Sequence, residues 1–524
     1  MTPGIAGLAD IVRLHGRDRP DAPALVAGGR TITYGELDAR SSRTAQAFAQ
    51  AGVGLGDRVA FVERNGAEFF DVVFGLAKLG AVGVPINWRL AVPEMHHIIE
   101  DSGAALVVAG EDFFGHMEAI EDGLGIGVIA IGAHDRWPAF NDWMAAHPAV
   151  DPGITTGPDD LVLLMYTSGT TGLPKGVMLS NANYSCKTAG VAGPWQLSAD
   201  SVSLAVMPLF HMAGSGWAFA SLWVGGTTVV LRDVDPATIL DVVSSHRITN
   251  LLLVPAVIQS LLDTPGMQAF DFANVRVIVY GASPISDDVL VRGIQRFGGV
   301  FTQVYGMTET TGSITQLDSA EHVPELRGSC GKPYPWVQVR VVSPSNPEGH
   351  AGVDAGVEAA PGTVGELWTR SDQNMLGYWN NPDATAATLA PDGWLRTGDA
   401  GYVDADGYVF LRDRIKDMIV SGGENIYPIE VENVLLIHPG VAEAAVIGVP
   451  DDRWGEAVKA FVVPAPGAKL SEADLIGFAR ARLAGFKLPK SVEFVTALPR
   501  NTSGKVLKRE LRDPYWAGLG TQIG

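Results

Sequence analysis

The segment YTSGTTGLPKG, from Tyr166 to Gly176, combines glycines, hydroxyl side chains and a single lysine. It follows the apolar run Leu161–Tyr166, which predicts a buried strand. Glycines let backbone N–H groups approach an anion, hydroxyls add donors, and Lys175 adds positive charge. The segment therefore predicts a phosphate-binding loop, with a flexible surface linker as the alternative. Its pattern differs from the common Gly-Lys-Ser/Thr phosphate loop, because Lys175 precedes a glycine.

Four more segments carry polar residues where chemistry is possible. Two of them, YGASPIS from Tyr280 and VYGMTET from Val304, follow predicted strands that look adjacent in a sheet, and the strand before YTSGTTGLPKG looks adjacent to them as well. The others are TGDAGYVDADG from Thr397 and PRNTSGKVLKREL from Pro499. The D-x-D-G pattern after Thr397 could suggest calcium, but the spacing and final glutamate of an EF-hand are missing. Taken alone, each segment also fits an ordinary turn, so the prediction depends on their joint occurrence.

The composition is typical of a globular protein with several domains. The chain has 524 residues, of which 47% are hydrophobic and 18% are charged. A formal net charge of −20 argues against a nucleic-acid partner and against adsorption to anionic membranes. Cys186 and Cys330 match no metal-ligand spacing, and so few cysteines favour a reducing cytoplasm.

Neither a secretory signal nor an integral membrane segment is expected. The start of the chain lacks a continuous apolar segment. The stretch Ser201–Leu231 contains no Asp, Glu, Lys or Arg and is long enough to cross a membrane. Because it also contains Pro208, His211 and several glycines, we predict strand, turn, helix, turn and strand in a buried core beside a pocket.

Helix and strand patterns alternate over most of the chain, which predicts an α/β fold. Thr31–Tyr34 and Arg58–Val62 have strand patterns, and Thr33 with Glu36 forms a capping box that begins a helix. Further strands are predicted at 251–254, 275–280 and 300–305. After residue 412, short strands and a helix indicate a compact α+β unit. We therefore place a domain boundary near Arg414–Asp417.

The five segments, in this order, closely resemble the motifs of the adenylate-forming superfamily, over essentially the whole chain. This superfamily includes acyl- and aryl-CoA synthetases, peptide-synthetase adenylation domains and firefly luciferase. The resemblance implies a large N-terminal α/β domain of several subdomains over 1–414 and a small, mobile C-terminal α+β domain over 415–524. It also implies ATP and Mg²⁺ as cofactors and coenzyme A as co-substrate. A carboxylate would attack the α-phosphate of ATP to give acyl-AMP, and a thiol would then displace AMP.

The resemblance also implies a role for each matching residue. The triphosphate would be held by Thr167, Ser168, Gly169, Thr170, Thr171, Gly172 and Lys175. Adenine would be bound by Gly281, Ala282, Ser283, Tyr305 and Gly306. Thr308 would contact the α-phosphate and Glu309 would bind Mg²⁺. Asp399, with Arg414, would hold the ribose hydroxyls.

The remaining implied roles concern the acid and the small domain. His211 would gate an acyl pocket lined by Ala213, Gly214 and Trp217, although His211 and Trp217 also fit a core role. Lys505 would be the catalytic lysine of the first step, because a long ammonium can reach charge developing between carboxylate and phosphate. Lys416 would be the hinge, and Gly422 and Gly423 would approach the pocket in the second step.

The segments PINWRL, SGGENIYPIEVE and PDDRWGE most resemble bacterial medium- or long-chain fatty-acyl-CoA synthetases. The alternatives are a ligase for an aromatic, branched or sulfur-containing acid, and a ligase that loads a separate carrier protein. A non-catalytic nucleotide-binding relative is disfavoured because Lys175, Glu309, Asp399 and Lys505 are all present. We expect a cytoplasmic enzyme with small-molecule partners, and a homodimer is possible.

Overall fold

A computed structural model describes residues 4–167, 174–283, 285–342, 358–414, 417–421, 424–451, 454–500 and 506–517. The chain divides into two compact units. The first comprises Met1–Arg327, Pro333–Gln338 and Arg370–Gly393. The second comprises Gly328–Lys332, Val339–Thr369 and Trp394–Gly524.

The strands of the described residues are short and spread along the whole chain. They are β1 (Pro23–Ala27), β2 (Arg30–Thr33), β3 (Arg58–Val62), β4 (Val82–Pro85), β5 (Leu106–Gly110), β6 (Gly127–Ile131), β7 (Leu161–Thr167), β8 (Lys175–Ser180), β9 (Val202–Ala205), β10 (Thr227–Val230), β11 (Asn250–Leu253), β12 (Val277–Gly281), β13 (Phe301–Tyr305), β14 (Thr315–Leu317), β15 (Lys332–Pro333), β16 (Gln338–Val342), β17 (Gly365–Arg370), β18 (Gly377–Tyr378), β19 (Leu395–Val403), β20 (Val409–Arg414), β21 (Ile419–Ser421), β22 (Glu424–Ile426), β23 (Val441–Asp451), β24 (Gly455–Pro464) and β25 (Ser491–Phe494).

The α-helices alternate with these strands, as the sequence predicts for an α/β fold. They are α1 (Leu8–Asp18), α2 (Tyr34–Gln50), α3 (Ala67–Leu79), α4 (Val92–Ser102), α5 (Phe114–Leu124), α6 (Phe140–Ala145), α7 (Asn181–Val191), α8 (Met212–Trp223), α9 (Pro236–Ser245), α10 (Pro255–Leu262), α11 (Asp287–Phe297), α12 (Pro382–Thr388), α13 (Pro428–Leu436), α14 (Glu472–Arg480) and α15 (Lys508–Trp516).

Two mainly parallel sheets form the framework of the first unit. One runs in the order β14-β13-β12-β11-β9-β10-β1-β2, and the other in the order β18-β8-β7-β4-β3-β5-β6. The capping box is confirmed, because the Thr33 side chain accepts a hydrogen bond from the Glu36 N–H and α2 begins at Tyr34. Strands β12 and β13 are adjacent and parallel, as predicted. The strand before the phosphate-loop segment, β7, instead pairs with β4 and β8 in the other sheet.

The uncharged stretch of the first unit folds as predicted. It forms β9, then α8, then β10, and most of α8 is buried. In the described part of the chain, no helix is both long and apolar enough to cross a membrane. Gly214 lets α8 approach the preceding loop, because a Cβ there would overlap the carbonyl oxygen of Pro208. The stretch is therefore an internal core segment.

The second unit contains two separate sheets. One has the order β16-β17-β19-β20, and the other the order β22-β21-β24-β23, with β25 parallel to β24. The predicted boundary near Arg414 falls between β20 and β21, inside this unit. The domain limits 1–414 and 415–524 remain a prediction.

Trp217 is packed as a core residue. Its side chain is buried, its Nε1 donates to the carbonyl oxygen of Leu204 at 3.0 Å, and its ring lies 5.4 Å from that of Trp195. These contacts fix the indole on both its apolar and polar sides.

Replacing Trp217 with Ala should lower the free energy of unfolding by about 3–5 kcal/mol, because a large buried ring is lost. Trp217→Phe keeps an aromatic ring and should cost about 1 kcal/mol for the missing hydrogen bond. Chemical denaturation and the acid profile should be measured on both variants. An unchanged stability with a preference moved toward longer acids would assign Trp217 to the acyl pocket instead.

Candidate active site

The predicted adenine-binding residues follow two neighbouring strands. Gly281 ends β12 opposite Val304 of β13, and a Cβ at Gly281 would overlap the Val304 carbonyl oxygen. Ala282 has a φ of 67°, which a residue with a side chain rarely adopts. The structure therefore brings Gly281, Ala282 and Ser283 together with Tyr305 and Gly306 at the carboxyl edge of one parallel sheet. Ligands of open α/β sheets bind at such edges.

The loop after β13 is folded tightly on itself. A Cβ at Gly306 would lie 2.5 Å from the backbone of Gly312, so only glycine fits there. Thr308–Thr310 form a short 3₁₀ helix, and the Met307 N–H donates to Thr310 Oγ1 at 3.1 Å. This geometry leaves Thr308 partly exposed and Glu309 buried.

Glu309 is held by a second segment of the same unit. The Tyr378 hydroxyl donates to Glu309 Oε1 at 2.8 Å, and the Met375 N–H donates to the Glu309 backbone oxygen at 2.8 Å. The Tyr378 N–H in turn donates to Thr385 Oγ1 at 2.9 Å, at the start of α12. The carboxylate orientation thus depends on β18 as well as on its own loop.

Lys175 contacts the ring of the same tyrosine. It begins β8 and pairs with Thr167, the last residue of β7. Its Nζ is 5.3 Å from the centroid of the Tyr378 ring, within range of a cation–π contact. Tyr378 therefore contacts a carboxylate through its hydroxyl and an ammonium through its ring.

Tyr378 is a site residue that the sequence analysis missed. It stands in the segment GYWNNP, where a glycine and an Asn-Pro pair indicate only a turn and a helix start. The helix start that the Asn-Pro pair indicates is present, since α12 begins at Pro382 and the Asn381 side chain accepts a hydrogen bond from the Ala384 N–H. Nothing in the local pattern indicates the contacts with Lys175 and Glu309, which depend on the pairing of β18 with β8.

His211 occupies the residue before α8 and lies against Phe210, with ring centroids 4.4 Å apart. Its Nε2 is buried and has no hydrogen-bond partner among the residues described. Burial, and secondarily the charge of Arg89, lower the pKa of His211 to about 4. The imidazole is therefore neutral near pH 7.

Asn65 fixes the loop that carries His211, a role that the sequence analysis also missed. Its Nδ2 donates to the carbonyl oxygens of Val206, Met207 and Leu231, at 3.3, 3.1 and 3.1 Å. Its Oδ1 accepts from the Leu209 N–H at 2.9 Å. One buried amide thus satisfies several backbone groups of an irregular segment.

The two predicted ribose ligands lie in the second unit. Asp399 of β19 is buried and pairs across the sheet with Arg414 of β20. The Asp399 N–H donates to Thr397 Oγ1 at 3.1 Å. The antiparallel register therefore places the two residues opposite each other on adjacent strands, and their ribose-binding role remains a prediction.

Several predicted residues lie outside the described part of the chain. They are Ser168, Gly169, Thr170, Thr171 and Gly172 of the phosphate loop, Lys416 of the hinge, Gly422 and Gly423, and Lys505. Their roles remain predictions.

Glu309 and Thr308 supply oxygen donors that suit Mg²⁺. In the described residues, no group of three His, Cys, Asp or Glu side chains could hold a metal ion. Mg²⁺ is commonly bound by one or two carboxylates together with substrate phosphates, so a single buried carboxylate is compatible with it.

Comparison with known proteins identifies the family. Residues 12–379 match the family described as AMP-binding enzyme, and residues 430–505 match the AMP-binding enzyme C-terminal domain. The chain belongs to the AMP-binding enzyme family. The predicted membership of the adenylate-forming superfamily and the predicted α/β fold with a small C-terminal domain are confirmed. The protein is an acid–thiol ligase of this ATP-dependent, AMP-forming family.

Its relatives act on different acids. The chain is 42% identical to a fatty acid–[acyl-carrier-protein] ligase, ScoC, of Streptomyces coeruleorubidus, covering 99% of each chain. It is 41% identical to a feruloyl-CoA synthase of an Amycolatopsis species, covering 95% of this chain and 96% of the other. The crystal structure of ATP-bound MatB from Rhodopseudomonas palustris superposes with a TM-score of 0.87 and 33% identity, covering 97% of this chain and 99% of MatB.

Replacing Tyr378 with Phe should raise the Mg²⁺ concentration needed for half-maximal activity by roughly 10- to 100-fold, because Glu309 loses a hydrogen bond to its charged carboxylate. Tyr378→Leu also removes the ring beside Lys175 and should raise the Michaelis constant for ATP further. Pyrophosphate exchange at varied Mg²⁺ and ATP measures both effects, and calorimetric titration with MgATP gives an independent reading of binding.

Tyr334→Phe is the matched control for loss of a buried tyrosine hydroxyl. Tyr334 donates to Gln316 Oε1 at 2.8 Å and accepts from Trp195 Nε1 at 3.0 Å. We expect it to reduce stability without changing the Mg²⁺ requirement. Equal Mg²⁺ curves for wild type and Tyr378→Phe would contradict the role given to the phenol.

The low pKa of His211 should make stability fall as the pH is lowered. The folded state favours the neutral ring, so stabilisation is complete above the unfolded pKa of 6.5 and is lost as pH falls toward about 4. Between pH 7.5 and 5, wild type should lose on the order of 2 kcal/mol more than His211→Phe. Urea unfolding at both pH values tests this, with His246→Phe at an exposed position as control. Parallel losses in wild type and His211→Phe would refute the assignment.

Proposed function

We propose that the protein activates a medium- or long-chain fatty acid, or a related acyl acid, and transfers it to coenzyme A. The observation that supports this proposal is that, in a member of this family, Tyr378 contacts both Lys175 and Glu309. The carboxylate oxygen of the acid attacks the α-phosphorus of ATP and pyrophosphate leaves. The thiol sulfur then attacks the acyl carbonyl carbon, AMP leaves, and the thiol proton is released.

The proposed roles follow the chemistry of each side chain. Thr167, Ser168, Gly169, Thr170, Thr171, Gly172 and Lys175 bind the triphosphate, and Gly281, Ala282, Ser283, Tyr305 and Gly306 bind adenine. Thr308 contacts the α-phosphate, and Asp399 with Arg414 binds the ribose hydroxyls. Glu309 holds Mg²⁺, which neutralises phosphate charge when bound.

The neutral imidazole of His211 suits a gate for an apolar acid, because it adds no charge to the pocket mouth. Ala213 and Gly214 lie on the first turn of the buried, uncharged helix α8, and are proposed to line the pocket. We assign Lys505 to adenylate formation, Gly422 and Gly423 to thioester formation, and Lys416 to the hinge between the two arrangements. The cytoplasmic location and a homodimer remain predictions from the sequence.

Two alternatives have specific support. The name of ScoC favours a carrier protein as the thiol acceptor. The name of the feruloyl-CoA synthase favours an aromatic acid. Pyrophosphate exchange with a panel of saturated, aromatic and branched acids separates the acids. AMP release with coenzyme A or with a phosphopantetheinylated carrier protein then separates the acceptors.

Lys505→Ala should slow adenylate formation by roughly 10²–10³-fold, because one cationic contact with the developing charge is removed. Thioester formation from supplied acyl-AMP should keep its rate. Single-turnover measurements of the two half-reactions test this difference. Lys490→Ala, which removes an exposed lysine from the same part of the chain, is the control. Equal slowing of both half-reactions by Lys505→Ala would contradict the proposal that Lys505 acts in adenylate formation alone.

A further inference from the structure

Lys187 is a buried lysine that the reaction described above does not use. It lies on α7 and its side chain is 1% exposed. Its Nζ donates to the carbonyl oxygen of Gly216 at 2.7 Å and lies 4.8 Å from the centroid of the Trp195 ring. Among the described residues, it forms no ion pair with a carboxylate. An ammonium in such surroundings has lost most of its hydration without gaining a counter-ion.

Lys78 shows how the same chain stabilises a lysine that is equally buried. Its Nζ donates to Asp38 Oδ1 at 2.6 Å and to Ser42 Oγ at 2.8 Å, and lies 3.6 Å from Asp151 Oδ2. Lys78 thus has two carboxylates nearby, whereas Lys187 has one backbone oxygen and an aromatic ring. Lys187 is therefore a buried cation that, among the described residues, has no carboxylate to balance its charge.

The surroundings of Lys187 connect it to the proposed acid site. Gly216 lies on α8 between Gly214 and Trp217, and a Cβ there would meet Met212 Sδ at 2.5 Å and Lys187 Nζ at 3.2 Å. Met212 also lies against the loop after β13, which carries Glu309, since a Cβ at Gly312 would lie 2.6 Å from Met212 Cγ. The Met212 side chain therefore contacts both Gly312 of the loop after β13 and Gly216, the glycine that Lys187 Nζ faces. An unbranched thioether side chain adapts easily to a ligand.

We propose that Lys187 binds a second anionic group on the acid substrate, separate from the reacting carboxylate. The ammonium has three donors, of which one bonds to Gly216, so a carboxylate can accept the others. This inference rests on the proposed function and narrows its substrate class to acids that carry a second carboxylate. Burial lowers the pKa of Lys187 to about 7, and a bound carboxylate would favour its charged form.

The test compares acids of equal length that differ only at the far end. Pyrophosphate exchange is measured for octanoic against octanedioic acid, and for dodecanoic against dodecanedioic acid. Wild type should favour the diacid of at least one pair by roughly 10- to 100-fold in kcat/KM, as for a charge-assisted hydrogen bond in a buried site. Lys187→Met, which keeps the length but removes the charge, should reverse that preference.

Lys78→Met is the matched control, because it removes an equally buried ammonium from a paired site. It should lose stability and leave the ratio of diacid to monoacid unchanged. If Lys187→Met does not fold, the inference can still be tested on the wild-type protein alone. The diacid should then raise the thermal unfolding midpoint of wild type more than the monoacid of equal length. A wild-type preference for monoacids that Lys187→Met retains would overturn the inference. Absence of exchange with every acid, including aromatic ones, would instead refute the proposed function.

Discussion

The hydrogen bond from the Tyr378 hydroxyl to Glu309 joins two segments that the chain places 69 residues apart. The ring of the same tyrosine lies 5.3 Å from Lys175 Nζ, so one side chain contacts both charged residues. A site for a nucleotide and a divalent cation needs both charges available to ligands. A direct ion pair between Lys175 and Glu309 would neutralise both charges, but it would have to be broken before ATP could bind. A phenol that contacts both side chains holds their charges in place before ATP binds, and such preorganisation lowers the cost of reorganisation during reaction.

Local features of the fold could be predicted from the sequence because their causes are local. Thr33 and Glu36 form a capping box within four residues, and β3 matches its apolar run at Arg58–Val62. The interruption of Ser201–Leu231 by Pro208 and glycines was enough to distinguish a core segment from a membrane span. In each case the residues that decide the structure lie next to the residues that adopt it.

Long-range pairing could not be predicted in the same way. The strand before the phosphate loop lies in a different sheet from β12 and β13, because β7 pairs with β4. No pattern within Leu161–Thr167 specifies that partner, since an apolar run fits a central position in either sheet. Tyr378 and Asn65 were missed for the same reason. Their functions reside in contacts with distant segments, and neither belongs to a motif that the resemblance supplies.

The helix α8 packs against both the loop of His211 and the loop that follows β13. Its sequence includes Gly214 and Gly216, each of which weakens an isolated helix by about 1 kcal/mol relative to alanine. The helix is therefore maintained by tertiary packing, and the glycines admit neighbours that a side chain would exclude. At Gly214 the neighbour is the loop of His211, and at Gly216 it is Lys187 with Met212. Since Met212 also lies against Gly312, a ligand that displaced this side chain would act on the loop that carries Glu309, which would link the proposed selection of the acid to adenylation.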